Sequence, residues 1–127
     1  MDYDELFANI RRRPEMFGLD GSFQGFCAFL LGIDYGNDRK FLVGFREMLA
    51  VQLGAGANLS WPALVLRVAF PDRDSVDRDR LADPEANRRA VDTLFTLLAE
   101  FRTRTADQDG LLRIFAAYQA ALDAERL

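Results

Sequence analysis

Histidine is absent from this chain of 127 residues, and cysteine occurs once, at Cys27. The missing imidazole removes the commonest general base and the commonest neutral metal ligand, so histidine-based triads and the usual zinc sites are excluded. A lone cysteine forms no internal disulfide, and within an apolar run it is expected to pack as a small apolar side chain. The residues therefore identify no catalytic group, no metal site and no cofactor, which favours a non-enzymatic protein.

The chain also lacks net positive charge and long apolar runs. The formal net charge is −4, and the basic residues are arginines with a single lysine, Lys40. Nucleic-acid-binding domains usually carry the opposite balance, so nucleic acid is not an expected partner. No apolar run approaches the roughly 18 residues that span a membrane, and the acidic start MDYDELF lacks the positive charge of a secretory signal. We therefore expect a cytoplasmic protein with no membrane partner, and its oligomeric state stays open.

The composition is that of a compact folded chain. Half of the residues are hydrophobic, eleven are phenylalanine and 28% are charged, which separates the sequence from disordered ones. A chain of this length fits one domain. Because apolar residues recur at helical spacing through most of the sequence, we predict an all-α fold, a single compact bundle of five to six helices over residues 1–127.

Capping residues place the first two helices. Asp2 opens a capping box for the first, and Arg11 to Arg13 put positive charge at its C-terminal end before Pro14 terminates it. Ser22 is the expected cap of a second helix that continues to Tyr35. This helix is apolar nearly all round, which predicts that it lies at the centre of the fold.

The middle of the chain is less uniform. Asp38 is expected to start a third helix, with apolar positions from Phe41 to Leu53. Residues 63–70 fit either a short helix after Pro62 or a buried strand, and the helix is preferred because no partner strand is evident. Residues 71–83, PDRDSVDRDRLAD, interleave acids and arginines and are predicted to form an exposed connector.

Two amphipathic helices are predicted at the C-terminal end. Asp83 is the expected N-cap of the first, with Pro84 as its first residue, and the second begins at about Gly110. We expect the two helices to pack antiparallel and to bury several large side chains against the second helix of the chain, namely Phe95, Leu98, Phe101, Phe115 and Tyr118.

The segment IRRRPEMFG is similar to a motif in two families. GHKL ATPases of the gyrase B type carry an arginine-arginine-proline-glycine-methionine-tyrosine segment, which Arg12, Arg13, Pro14, Met16 and Phe17 resemble. Glu15 stands where those ATPases have glycine, and neither their metal-binding asparagine helix nor their nucleotide-lid glycines follow. No ATP site is therefore implied.

The second resemblance covers roughly the first half of the chain. Small bacterial proteins, many of them uncharacterised and some of them immunity proteins of polymorphic toxin systems, often open with a helix ending in R-x-R-P-x-M-[YF], followed by a short turn, a serine and F-x-x-G. The matching residues here are Arg11, Arg13, Pro14, Met16, Phe17, Ser22, Phe29 and Gly32, with Trp61 at the place of a later tryptophan. The resemblance implies a helical, non-enzymatic protein and transfers no functional residues.

Two hypotheses for the function follow. The first is a protein-binding module, an immunity protein whose acidic connector faces a basic cognate toxin and speeds its encounter. Its predicted partner-binding residues are Asp72, Asp74, Asp77, Asp79, Arg12 and Arg13. The alternative is a small helical ligand-binding protein or histidine-free enzyme of a bacterial biosynthetic or regulatory cluster, with a pocket between its helices. The predicted pocket residues are Phe23, Phe26, Asp34, Tyr35, Arg39 and Trp61.

Overall fold

Helices make up the regular structure of the protein. The structure, a computed structural model, describes residues 1–72 and 78–127. These residues contain no strand, and they form a short 3-10 helix at Pro14–Phe17 and seven α-helices: α1 (Tyr3–Arg12), α2 (Phe23–Gly36), α3 (Phe45–Leu53), α4 (Trp61–Ala69), α5 (Arg78–Leu81), α6 (Pro84–Thr105) and α7 (Gly110–Asp123). The all-α prediction is confirmed. The predicted number of five to six helices is wrong, because α5 forms within the segment that the sequence presents as a connector.

Side-chain oxygens cap three helices at the positions predicted. Asp2 caps α1, Ser22 caps α2 and Asp83 caps α6. Each accepts a hydrogen bond from the backbone N–H three residues later, at 3.1, 3.0 and 3.1 Å respectively, and so satisfies one of the donors that a helix start leaves open. These three helix starts are therefore set by local sequence.

The third helix begins at Phe45, later than the predicted start at Asp38. Asp38 has a φ of 57° and Gly44 a φ of 94°, and a right-handed helix does not run through such left-handed residues. In the intervening loop, the backbone N–H of Leu42 donates to Oδ1 of Asp34 at 2.8 Å. The loop is thereby tied to the last turn of α2.

The ambiguous segment after the tryptophan is helical. α4 spans Trp61–Ala69 with Pro62 in its first turn, and it buries Leu64, Val65 and Ala69. The helix prediction is confirmed and the strand alternative is wrong.

The central helix of the fold is α6. It packs against α2, α3, α4, α5 and α7, and one core cluster draws buried side chains from α1, α2, α3, α4, α6 and α7. The prediction that the second helix is central is wrong. That helix buries one side, made by Phe23, Phe26, Cys27 and Leu30, and exposes the other.

The last helix packs chiefly on α3 and also on α6. Phe95, Leu98 and Phe101 of α6 are buried as expected. The expectation that Phe115 is buried against α2 is wrong, since its side chain is 40% exposed. Tyr118 is half-buried, and its ring lies 5.6 Å from the guanidinium of Arg46 in α3.

Candidate functional site

The three arginines after α1 have different environments. Arg11 pairs with Asp92 of α6 at 2.7 Å, and its guanidinium lies 5.0 Å from the centre of the Phe95 ring. Arg12 and Arg13 are exposed. Arg11 therefore holds α1 against α6, whereas the two following arginines lie at the surface, where Nη2 of Arg12 donates to Oδ1 of Asn9 at 2.9 Å.

The 3-10 helix after the arginines lies beside α2. Its last residue, Phe17, packs edge-on against Phe29 of α2, with ring centroids 6.1 Å apart and an interplanar angle of 83°. Met16 is 71% exposed. Gly18 then takes a left-handed conformation, with a φ of 75°, and ends the turn. Phe17 thus extends the surface of α2 instead of entering the core, and Met16, in the same turn, is exposed.

The outer face of α2 is apolar and open to solvent. No charged residue occurs from Phe23 to Ile33. Leu31 is 45% exposed and Tyr35 60% exposed. A Cβ built on Gly32 would meet nothing within 4 Å, so no other element among residues 1–72 and 78–127 covers this position. We refer to this region as the α2 surface, and it consists of Met16, Phe17, Ala28, Leu31, Gly32 and Tyr35.

The start of α2 is fixed to α6 by one amide side chain. Oδ1 of Asn87 accepts from the backbone N–H of Phe23 at 2.8 Å, and its Nδ2 donates to the carbonyl of Gly21 at 3.0 Å. Just before the helix, hydrogen bonds from the side chain and backbone of Ser22 lower the pKa of Asp20. The α2 surface is therefore carried by a helix whose first turn is held in place.

The predicted acidic partner-binding residues fall into two groups. Asp72 and Asp79 are exposed, while Asp74 and Asp77 lie outside the described residues. Two residues lie between Asp79 and α6 and contact the fold. Leu81 packs against the core, and the guanidinium of Arg80 lies 5.0 Å from the centre of the Phe70 ring. The described part of the acidic segment is thus attached to the fold through α5.

The residues predicted to line a ligand pocket have separate surroundings. Phe26 packs into the core against Phe95, with centroids 5.2 Å apart. Trp61 packs at 5.6 Å against Phe45 of α3. Tyr35 and Arg39 do meet, with the guanidinium 5.6 Å from the ring centre, at an exposed position. The remaining two are Asp34, which holds the loop before α3, and Phe23, which borders a cavity described next.

Two cavities were not predicted from the sequence. An open one of about 550 Å³ lies beside the first turns of α6, above Phe70, and is lined by both acids and arginines, among them Arg88 and Arg89. An apolar one of about 290 Å³ lies between α2, α4 and α5, bordered by Phe23, Cys27, Leu66 and Leu81. The adjacent arginines Arg88 and Arg89 are a feature of the sequence that could have indicated the first cavity. The second had none, because it depends on how three distant segments pack.

The ionisable groups of the described residues offer little reactive chemistry. Burial raises the pKa of the Cys27 thiol to about 12, so at neutral pH it is protonated and a poor nucleophile. Within residues 1–72 and 78–127, no group of three or more Cys, Asp or Glu side chains is placed to hold a metal ion. In the same residues, no helix combines the length and the apolar character needed to cross a membrane.

The sequence matches no protein-family model, and comparisons with curated proteins and with solved structures give no match. Its function has to be inferred from the surfaces described above.

Proposed function

We propose that the chain is a non-enzymatic protein-binding module and that the α2 surface is where it contacts its partner. The observation that carries the proposal is the outer face of α2, which exposes Leu31 on the uncharged segment from Phe23 to Ile33 and Tyr35 one turn further on. Exposed apolar patches of this kind are typical of protein interaction sites. Tyrosine is also among the residues most enriched at the energetic centres of interfaces.

The charge of the chain favours a basic partner. The net charge is −4, and Asp72 and Asp79 are exposed. An acidic protein attracts a basic one over distances near the Debye length, about 8–10 Å at physiological salt, and this raises the association rate. In this proposal the acidic residues speed the encounter, and the α2 surface supplies the contact that holds the complex.

The arginines beside the α2 surface add a directional contact. Arg12 and Arg13 are exposed next to the 3-10 helix that carries Met16 and Phe17. A guanidinium can bind a carboxylate through two parallel hydrogen bonds, so an acidic group on an otherwise basic partner fixes the orientation of the complex. The partner is thus a basic protein with an apolar patch and a neighbouring carboxylate.

The resemblance of the first half of the chain to immunity proteins suggests which class of protein the partner belongs to. We take it to be a basic bacterial toxin encoded beside this chain, which the chain neutralises by covering its surface. No catalytic residue is required for this role, since a bound protein can block a toxin by occlusion alone.

The test is a binding and protection assay with the purified product of the neighbouring gene. Titration calorimetry is expected to give a one-to-one complex, and addition of the chain is expected to abolish toxicity. Leu31→Glu places a charge on the α2 surface and is expected to weaken binding at least tenfold, the equivalent of about 1.4 kcal/mol. Leu112→Glu is the matched control, because Leu112 is another exposed leucine on a helix distant in sequence.

Two results would end the proposal. One is a purified neighbour that neither binds the chain nor loses toxicity in its presence. The other is a complex that Leu31→Glu leaves as tight as the wild type, which would place the contact elsewhere on the molecule.

A second candidate function, binding of a small apolar ligand, is supported by the cavity of about 290 Å³ between α2, α4 and α5. Ala63 lines it, so Ala63→Phe would fill much of the space. The probe is 1-anilinonaphthalene-8-sulfonate, whose fluorescence is expected to rise with the native wild type and not with Ala63→Phe. Equal fluorescence from both proteins would show that the dye binds elsewhere, and the candidate would be dropped.

A further inference from the structure

The open cavity of about 550 Å³ beside the first turns of α6 brings three arginines together around one aromatic ring. Arg80 of α5 and Arg88 and Arg89 of α6 line it, together with Phe70, the residue that follows α4. The guanidinium carbon of Arg80 lies 5.0 Å from the centre of the Phe70 ring, and that of Arg89 lies 5.1 Å from it. These two positive charges are therefore at most twice that distance apart, and an anion in the cavity would attract both.

The acids on the same side of α6 do not pair with these arginines. Glu85, Arg88, Arg89 and Asp92 are spaced so that four acid–arginine pairs, three or four residues apart, can form along the helix. None of the four pairs is formed, although all of these residues lie in the part of the chain that the structure describes. Asp92 pairs instead with Arg11 of α1 at 2.7 Å.

A second acid at the cavity also has a partner elsewhere. Oδ2 of Asp83 accepts from the backbone N–H of Ala86 at 3.1 Å and caps α6. In contrast, neither Arg88 nor Arg89 makes an ion pair or a side-chain hydrogen bond within residues 1–72 and 78–127. Both side chains are exposed. The cavity thus offers unpaired guanidinium groups, in a chain whose net charge is −4.

Several guanidinium groups around one space favour phosphate over carboxylate. A phosphate group carries a charge of about −1.5 to −2 near neutral pH and has three strong acceptor oxygens, so it can accept from more than one arginine. A carboxylate has one charge and two oxygens, which the fork of a single guanidinium can satisfy.

The size and the other polar groups of the cavity indicate what carries the phosphate. Its volume of about 550 Å³ lies within the range of about 300–1,000 Å³ that is typical of small-molecule sites. It has room for more than a phosphate ion. Thr93 and Glu85 also line it, and their oxygens can accept hydrogen bonds from hydroxyl groups of a ligand.

We infer that this cavity binds the phosphate group of a small molecule, with Arg88 and Arg89 as its principal hydrogen-bond donors. Phe70 holds the guanidinium of Arg89 at the cavity through the cation–π contact. None of the residues that line the cavity belongs to the α2 surface, so the inference does not depend on the proposed function.

Nuclear magnetic resonance of the isotope-labelled full chain tests the inference, with inorganic phosphate as the first probe. At constant ionic strength, the N–H signals of Arg88 and Arg89 are expected to shift saturably, while those of Arg104, at the far end of α6, stay in place. Acetate, the carboxylate probe, is expected to bind about tenfold more weakly or worse. Glycerol phosphate is then compared with inorganic phosphate. Tighter binding of the ester identifies a phosphorylated small molecule as the ligand, and binding of the free ion alone would overturn that assignment.

Matched substitutions on α6 locate the site. Arg88→Gln and Arg89→Gln each remove one positive charge and are each expected to weaken phosphate binding about tenfold or more. Arg104→Gln removes the same charge from an exposed position on the same helix and is expected to bind as the wild type does. Leu31→Glu, on the α2 surface, is also expected to bind phosphate normally, so a failure of this site is distinguished from a failure of the proposed function.

Circular dichroism checks that the variants keep the helical content of the wild type. If the loss of the contact with Phe70 unfolds Arg89→Gln, Arg88→Gln still decides the question, because it leaves that contact intact. Three results would overturn the inference: no saturable shift with phosphate, acetate bound as tightly as phosphate, or a folded Arg88→Gln that binds phosphate as the wild type does.

Discussion

Asn87 of α6 holds the first residue of α2 in place through its side-chain amide. Oδ1 accepts from the backbone N–H of Phe23 at 2.8 Å, and Nδ2 donates to the carbonyl of Gly21 at 3.0 Å. The Phe23 N–H is one of the donors at the helix start that α2 itself cannot satisfy. A single side chain therefore joins the central helix to the helix that carries the α2 surface.

Replacing Asn87 by alanine is expected to lower the free energy of unfolding by about 1–3 kcal/mol, because it leaves two partly buried backbone groups without their partner. Urea denaturation gives the value. Gln24→Ala is the control on the same turn of α2, since Gln24 is exposed, and it is expected to stay within about 0.5 kcal/mol of the wild type. An Asn87→Ala protein as stable as the control would mean that water replaces the amide without loss.

The open outer face of α2 can be tested with a stabilising substitution. Gly32 lies inside the helix, and a Cβ there meets nothing within 4 Å. Gly32→Ala is therefore expected to raise the free energy of unfolding by about 0.5–1 kcal/mol through helix propensity.

Gly44→Ala is the contrasting variant. Gly44 has a φ of 94°, and its Cβ would come within 2.5 Å of Leu111 Cδ1, so both backbone strain and a clash are expected to destabilise the fold. Chemical denaturation of both glycine variants gives the two changes in the free energy of unfolding. Destabilisation by Gly32→Ala would show that something packs against the outer face of α2.

Local sequence was enough to place the helix starts at Asp2, Ser22 and Asp83, because a cap acts on the next three residues. It did not place the start of α3, which follows the left-handed Gly44, a position where a Cβ would meet Leu111 of α7, far along the chain. Phe41 and Leu42 were therefore assigned to a helix that begins only at Phe45.

The same limit applies to the candidate site. A helix that is apolar all round predicts complete burial, yet Leu31 and Tyr35 are exposed because α6 occupies the centre of the fold. Sequence identified the apolar residues correctly but could not say which of them would be left without a neighbour. The cavity beside Cys27 was missed for the related reason that its walls come from three separate helices.

The buried thiol of Cys27 is expected to make stability fall at alkaline pH. Its pKa is raised from an ordinary value of 9.0 to about 12 by burial. Above pH 9.0 the unfolded chain loses this proton while the folded chain keeps it up to about pH 12, so folding is disfavoured by about 1.4 kcal/mol per pH unit in that window. Below pH 9.0 both states hold the proton, and the contribution is constant.

The measurement compares the wild type with Cys27→Ala by chemical denaturation at about pH 8 and about pH 10. The wild type is expected to lose about 1.4 kcal/mol more than the variant between the two pH values. Equal losses in both proteins would mean that the thiol ionises as readily in the folded state as in the unfolded one.

Substitutions in the core are expected to cost far more stability than substitutions in the exposed acidic segment. Phe26 and Phe95 are buried and contact each other edge-on, so replacing either with alanine is expected to cost about 3–5 kcal/mol. Asp72 and Asp79 are exposed, and their alanine variants are expected to stay within about 0.5 kcal/mol of the wild type. Denaturation midpoints of the four variants decide the matter. A loss at Asp72 or Asp79 comparable to that at the phenylalanines would make this segment structural and remove it as the part that faces a partner.

A single arginine near the end of α6 joins that helix to α1 and to the loop before α3. The guanidinium of Arg102 lies 5.5 Å from the ring centre of Tyr3 and 5.2 Å from that of Phe41. Its Nε also donates to Oδ1 of Asp4 at 3.0 Å. Arg102 thus combines cation–π contacts with an ion pair at a partly buried position.

Arg102→Ala is expected to lower the free energy of unfolding by about 1–2 kcal/mol, since the loss includes both the cation–π contacts and the packing of the aliphatic stem. Arg102→Lys keeps the charge but not the planar stacking, and it is expected to recover only part of this loss. The control is Arg104→Ala on the same helix, because the ion pair of Arg104 with Glu100 is long, at 4.0 Å, and exposed, and is worth about 0.5 kcal/mol or less. Urea denaturation of the three variants gives the ranking. If Arg102→Ala were as mild as Arg104→Ala, the aromatic rings would be packing against one another without help from the cation.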